Sequence, residues 1–186
     1  MRIIGGNRRG LRLAEVGEGD VAAHLRPTSD RVRESIFNLL INAHGNPVTG
    51  ARVLDLFAGT GALGLEALSR GAAEVTFIDD GAKAATLIRA NIAKMKAEGD
   101  TRLLRQNATR LGLNAQAPFT LIFLDPPYGK AMGEAALASA FAGGWLAPGA
   151  MVVWEENTAP QVPNGFAQVD QRTYGDTIVT LLKAPE

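Results

Sequence analysis

The sequence predicts an α/β domain: a doubly wound, mostly parallel sheet with helices on both faces, ended by an antiparallel hairpin and preceded by a short basic arm. Three observations carry this reading. From residue 51 onward, short apolar runs alternate with stretches of helical spacing, the pattern of successive βαβ units. The run Val53-Leu-Asp-Leu-Phe-Ala-Gly-Thr-Gly61 ends in a glycine loop that opens a helix. Near the end of the chain, apolar runs over 166–173 and 177–183 are separated only by Tyr174-Gly175-Asp176. That connection is too short for a parallel crossover, so the two strands are antiparallel neighbours.

Residues 1–26 read as an arm or hairpin, rich in Gly and Arg, with short apolar pairs at Ile3-Ile4 and Leu11/Leu13. The domain proper runs over 27–186. Pro27-Thr28-Ser29-Asp30 offers helix N-cap candidates, and Val32, Ile36, Phe37, Leu40 and Ile41 form an apolar stripe that Gly45-Asn46-Pro47 stops. Strand 51–57 leads through the glycine loop into a helix over 62–70. Strand 74–79 leads into a helix over 82–97, and a short strand follows at 102–106. Strand 119–124 runs into Asp125-Pro126-Pro127-Tyr128, and then comes a helix over 132–142. Pro148-Gly149 precedes strand 150–155. Trp145 and Trp154 lie in apolar runs and read as core; His24 and His44 read as loop residues.

Composition excludes several classes of function. The 186 residues suit one domain with a full core. The absence of cysteine removes disulfides, thiolate nucleophiles and Cys-ligated metals; two histidines do not suggest a metal site, so none is expected. No stretch approaches the roughly 18 continuous apolar residues of a membrane span, and Met-Arg-Ile-Ile-Gly-Gly lacks the apolar region of a signal peptide. A cytoplasmic monomer is expected. Net charge is zero, yet Arg2, Arg8, Arg9 and Arg12 all precede the first acid, Glu15, and 14 of the 19 basic residues are Arg. Arginine suits phosphate forks and stacking; a solvated arm is the plain alternative.

Gly59-Thr60-Gly61-Ala62-Leu63-Gly64 matches G-x-G-x-x-G between a strand and a helix, the context in which glycines let a ligand approach the backbone. Asp79 lies 20 residues after Gly59 at the end of the next strand, where a carboxylate can accept from ribose hydroxyls. A dinucleotide would put its pyrophosphate at this helix start. Asp55, in the strand just before the glycines, would repel a pyrophosphate and favour the sulfonium and ammonium of S-adenosylmethionine. A tight turn without ligand is the remaining alternative. Asn107-Ala108 follows the 102–106 strand, where a side chain would meet an adenine; a loop asparagine capping its own backbone is the competing reading.

Asp125-Pro126-Pro127-Tyr128 ends a buried strand with a carboxylate, two prolines and a ring. An aromatic amino group is a poor nucleophile because its lone pair is delocalised. Acceptors placed off its plane favour a tetrahedral nitrogen: the Asp125 carboxylate and the Pro126 carbonyl can serve, in a backbone with no competing N–H. Tyr128 can stack on a base, worth roughly 1–3 kcal/mol in single-strand binders. The target base must be flipped or unpaired. Together the two segments point to methyl transfer to a base nitrogen.

Asp55–Gly61, Ala62–Gly71 and Asp125–Tyr128 resemble class I S-adenosylmethionine-dependent methyltransferases acting on amino nitrogens. Met1–Gly6 and Arg26–Asn38 narrow the resemblance to the bacterial 16S rRNA guanine-N2 methyltransferase (RsmD-like) family, and it covers essentially the whole chain. It implies a seven-stranded Rossmann-like sheet with an antiparallel C-terminal hairpin. It also implies cofactor contacts from Asp55, Phe57, Ala58, Gly59, Thr60, Gly61, Asp79 or Asp80, Asn107, Ala108 and Thr28, and chemistry at Asp125 to Tyr128. The expected target is guanine-966 of 16S rRNA in the small ribosomal subunit or an assembly intermediate. Arg8, Arg9 and Arg12 would contact rRNA phosphates, and Thr28, Ser29, Asp30 and Arg31 would lie near the cofactor and base. The family commonly has Glu at position 79; Asp79-Asp80 here leaves open which carboxylate reaches the ribose. The alternatives are an adenine-N6 methyltransferase and an inactive S-adenosylmethionine-binding RNA-binding module; intact Asp125 speaks against the latter.

Overall fold

A computed structural model describes residues 1–17 and 27–186. Helix α1 (Asp30–Ala43) starts where the sequence offers caps: the Ser29 hydroxyl accepts from the Val32 N–H at 3.2 Å. Strand β1 (Arg52–Leu56) and helix α2 (Ala62–Ser69) flank the glycine loop, and strand β2 (Glu74–Ile78), helix α3 (Ala82–Met95) and strand β3 (Thr101–Leu104) follow. Strand β4 (Phe119–Leu124), helix α4 (Met132–Ala142) and strand β5 (Leu146–Glu156) lead to the hairpin of strands β6 (Ala167–Tyr174) and β7 (Thr177–Lys183). The sheet order is β3-β2-β1-β4-β5-β7-β6. The first five strands are parallel; β7 runs antiparallel to both β5 and β6. This is the expected Rossmann-like sheet.

One boundary differs from expectation. β5 begins at Leu146, because Pro148-Gly149 bulges out of the strand rather than preceding it. Phe119 pairs with Leu146, yet Leu121 already pairs with Met151. The bulge takes up the extra residues, a place where proline is tolerated within a sheet.

Alternation along the strands sends successive side chains to opposite faces. Val53, Val75, Phe77, Leu121, Phe123 and Val153 meet α1, α2 and α3 on one face; Leu54, Leu56, Ile122, Leu124 and Trp154 meet α4 on the other. Trp145 and Trp154 are both core. Helix α2 has almost no outward side: six of its eight residues besides Glu66 are buried. A helix buried all round needs a cover, and residues 1–13 provide it. They close a hairpin, with the Ile3 N–H donating to the Leu11 carbonyl at 2.9 Å and Leu13 to Met1 at 3.1 Å. Ile3 and Leu13 join the core beside α2. The segment 18–26 of the expected arm, with His24 and Arg26, lies outside the described residues. His44, expected as a plain loop residue, ends α1 with its Nε2 2.9 Å from Asp170 Oδ2.

Candidate active site

A cavity of about 970 Å³ opens at the carboxyl ends of β1, β2, β4 and β5, the edge at which doubly wound sheets bind ligands. Its first half is the glycine loop. Phe57 takes a left-handed backbone (φ 59°), a strain held by the surrounding fold. Gly61 (φ 80°) caps α2. A side chain on Gly64 would come within 2.6 Å of the Phe77 ring and 2.7 Å of Val75, so only glycine lets α2 settle this closely on the sheet. Asp55 lies below the loop with Oδ2 2.9 Å from the Gly64 N–H. Burial holds its carboxyl well above the ordinary carboxylate range, against that hydrogen bond and helped by the charges of Asp125 and Asp79.

Asp79 ties the loop to the next helix. Its two oxygens accept from the Gly59 N–H and the Gly81 N–H, both at 2.9 Å. Burial raises its pKa; the two N–H groups oppose the rise and neighbouring Asp80 adds to it. Asp80 is exposed at the rim. Asn107 Oδ1 accepts from the Thr109 N–H (2.9 Å) and hydroxyl (2.7 Å), so it caps its own turn while still lining the cavity beside Ala108.

The second half is the Asp-Pro-Pro-Tyr turn. Asp125, Pro126, Pro127 and Tyr128 all line the cavity, and the Tyr128 hydroxyl lies 3.4 Å from Thr177 Oγ1 at the tip of the β6–β7 hairpin. Asp125 stands beside Glu155, because Leu124 of β4 pairs with Trp154 of β5. Thr28, one residue before the α1 N-cap, reaches both: its Oγ1 is 3.2 Å from Asp125 Oδ2 and 3.1 and 3.2 Å from the two Glu155 oxygens. Burial pushes Asp125 up to about 7, opposed by the Thr28 hydroxyl and helped by the charge of Glu156. Glu155 is also held well above the ordinary range, first by burial and then by the Asp125 charge, with Thr28 and Arg33 opposing.

The structure gathers most of the expected residues. Thr28, Asp55, Phe57, Ala58, Gly59, Thr60, Asp79, Asp80, Asn107 and Ala108 line one cavity with the Asp125–Tyr128 turn. Gly61 shapes the loop without lining it. Arg31 is exposed on the first turn of α1 and does not line the cavity; Arg8, Arg9 and Arg12 are exposed on the N-terminal hairpin. Arg8 Nε donates to the Met95 carbonyl at 3.3 Å. Sequence reasoning missed Glu155, although Trp154-Glu155-Glu156 carried a signal: two acids ending an apolar strand at the ligand edge of the sheet. It also missed Tyr174, Asp176 and Thr177, which the hairpin brings to the cavity wall.

Among the described residues, the acids of this cavity (Asp55, Asp79, Asp80, Asp125, Glu155 and Asp176) outnumber its cations, Lys83 and Lys130. That balance suits a ligand with positive groups better than a pyrophosphate. A family model described as "Conserved hypothetical protein 95" matches residues 1–183. The chain is 38% identical over 185 residues to ribosomal RNA small subunit methyltransferase D of Escherichia coli K12, covering 97% of this chain and 88% of that protein. It is 35% identical over 190 residues to the putative rRNA methyltransferase YlbH of Bacillus subtilis 168, covering 98% of each. The solved structure of the putative methyltransferase yhhF from E. coli superposes over the whole chain and 98% of that one, with a TM-score of 0.81 and 35% identity.

Proposed function

The chain belongs to the family of ribosomal RNA small subunit methyltransferase D, and from that premise we propose that it transfers a methyl group from S-adenosylmethionine to the exocyclic N2 of a guanine. The target is in 16S rRNA of the small ribosomal subunit or its assembly intermediate: guanine-966, by resemblance to this family. The observation that carries this reading is the placement of the Asp125-Pro126-Pro127-Tyr128 turn and the glycine loop on one cavity.

S-adenosylmethionine, when bound, supplies an electrophilic methyl on a sulfonium. The chain supplies the rest. The loop backbone at Gly59–Gly61 would hold the cofactor, with Phe57, Ala58 and Thr60 beside it and Asp55 favouring its positive end. Asp79 is pinned by two N–H groups, and each of its oxygens keeps a lone pair for a ribose hydroxyl; Asp80 is the less constrained candidate. Ala108 and Asn107 would border the adenine. Across the cavity, the Asp125 carboxylate and the Pro126 carbonyl accept from the amino group and favour a tetrahedral nitrogen. The methyl reaching that nitrogen would leave the sulfonium sulfur with the electron pair of the broken S–CH₃ bond. The nitrogen's surplus proton passes to Asp125, whose pKa near 7 suits a base at neutral pH. Tyr128 stacks on the flipped base, Arg8, Arg9 and Arg12 meet rRNA phosphates, and Arg31 binds the substrate RNA near the base.

The test supplies methyl-labelled S-adenosylmethionine with small subunits lacking the modification, naked 16S rRNA, DNA and total protein in parallel. Label recovered as N2-methylguanosine from subunit RNA is the expected result. Label in N6-methyladenine or in protein overturns the target; no label despite measurable cofactor binding overturns the activity.

A further inference from the structure

Among the described residues, Asp125 and Glu155, when both are ionised, are short of hydrogen-bond donors. The Thr28 hydroxyl carries one hydrogen, yet it stands within 3.2 Å of three carboxyl oxygens, one on Asp125 and two on Glu155. Arg33 is the buried cation behind them, but its guanidinium is directed elsewhere. It donates to the Thr28 carbonyl at 3.3 Å, to Asp30 at 2.9 Å, to Glu66 at 3.4 Å and to the Arg2 carbonyl. Carboxylate oxygens that must share one donor in a low-dielectric site are unfavourable. Both acids line the cavity, so the missing donors can arrive from that side. A ligand that satisfies two neighbouring carboxylates presents two N–H donors side by side in one plane.

Among the nucleobases, guanine presents this pattern, with N1–H next to the N2 amino group. Adenine and cytosine place a ring-nitrogen lone pair next to their amino group. We propose that Glu155 is the specificity-determining residue of this site: its carboxylate accepts the guanine N1–H while Asp125 holds the N2 amino group. An oxygen facing the ring-nitrogen lone pair of adenine or cytosine is repulsive, so Glu155 both selects guanine and rejects the other amino-bearing bases. The proposal rests on the reading of the site as a guanine-N2 methyltransferase. It adds the group that chooses the base to the group that serves the reaction.

The experiment uses the full chain and small subunits assembled with either guanine or 2-aminopurine at the mapped target. 2-Aminopurine keeps the amino group but has a lone pair at N1. The wild-type protein is expected to favour guanine in kcat/KM by about 10- to 100-fold, the penalty for leaving a site's polar group unmatched. Glu155→Gln has an amide that can donate to N1 of 2-aminopurine, and should bring the preference to within about threefold of parity. Glu155→Asp keeps the charge and should keep the preference for guanine even if turnover slows.

A wild-type protein that methylates both bases equally overturns the proposal. So does a Glu155→Gln protein whose two rates fall together at the wild-type ratio, which is what a merely structural residue would give. If Glu155→Gln is inactive or unfolded, the wild-type and Glu155→Asp ratios still decide, and loss of preference in Glu155→Asp counts against the proposal. Failure of the underlying reading looks different: the wild-type protein then methylates neither base.

Discussion

Two buried glutamates, Glu66 and Glu155, both feel the charge of Arg33 and have opposite surroundings. Glu66 on α2 is fully buried and receives four donors: the Ile4 and Gly5 N–H groups at 2.9 and 2.8 Å, Arg70 Nε at 2.8 Å and Arg33 Nε at 3.4 Å. Glu155 on β5 is 2% exposed and shares one hydroxyl with Asp125. The first carboxylate holds the N-terminal hairpin onto α2 and α1. The second borders a cavity and, among the described residues, has its hydrogen-bonding capacity largely unmet. Burial therefore does not separate these two acids; the number of donors around each does.

The largest effect that sharpens the contrast is on turnover. Asp125→Ala removes the amino-group acceptor and should lower kcat by about 10²- to 10⁴-fold, with cofactor affinity by titration calorimetry nearly unchanged. An interaction made in the transition state behaves in this way. Lost cofactor binding at unchanged turnover would place Asp125 with the cofactor instead. Glu66→Ala should act on stability rather than chemistry. Leaving Arg33 without its buried partner costs about 3–5 kcal/mol in urea unfolding. Glu155→Gln removes an under-solvated charge and should be neutral or stabilising by up to about 2 kcal/mol, the usual trade between site and fold. If Glu155→Gln destabilises as much as Glu66→Ala, the distinction between the two acids collapses.

A smaller, titratable version of the same contrast lies in pH. The folded pKa of Asp125 is raised to about 7, above the roughly 4 of an unfolded aspartate. Its contribution to stability is then fully present below about pH 4 and is lost as pH rises through about 7. Activity needs the ionised form and should climb about tenfold per pH unit until it levels near 7. Between pH 5 and 8 the urea midpoint should fall while kcat rises. Asp125→Asn should flatten the Asp125 share of the midpoint change; an unchanged slope in that variant would assign the titration to another acid.

What could be read in the sequence tracks how local the determining interaction is. The Ser29 cap, the left-handed glycine before α2 and the two-residue turn at Gly175-Asp176 are fixed within a few residues, so the helix and strand starts fall close to expectation. The glycine loop and the Pro-Pro turn were legible for the same reason. Glu155 depends on the register that sets Leu124 beside Trp154, and on Thr28 reaching in from a distant helix start. Glu66 on its own looks like an ordinary helical acid; its partners lie about 60 residues earlier, at Ile4 and Gly5. Asp79 shows the limit from the other side. Its position at the strand end was visible, but the two N–H groups that hold it come from both the glycine loop and the start of α3.

The smallest expected effects concern the hairpin that Glu66 clamps. Arg8, Arg9 and Arg12 are exposed on it, so a clamped hairpin would present them to RNA already oriented, reducing the ordering cost of binding. Each arginine that neutralises a phosphate contributes about 0.7–0.9 to the slope of log affinity against log salt. Arg9→Ala and Arg12→Ala should each lower the slope by about that amount without altering the urea midpoint. Arg8 also donates to the Met95 carbonyl at the end of α3, so Arg8→Ala should lower the midpoint slightly and the slope by less. Glu66→Gln, assayed where it remains folded, should weaken RNA binding while leaving the slope nearly intact, because it loosens the platform without removing an exposed arginine. A triple arginine variant with an unaltered slope would make the hairpin a cover for α2 and nothing more.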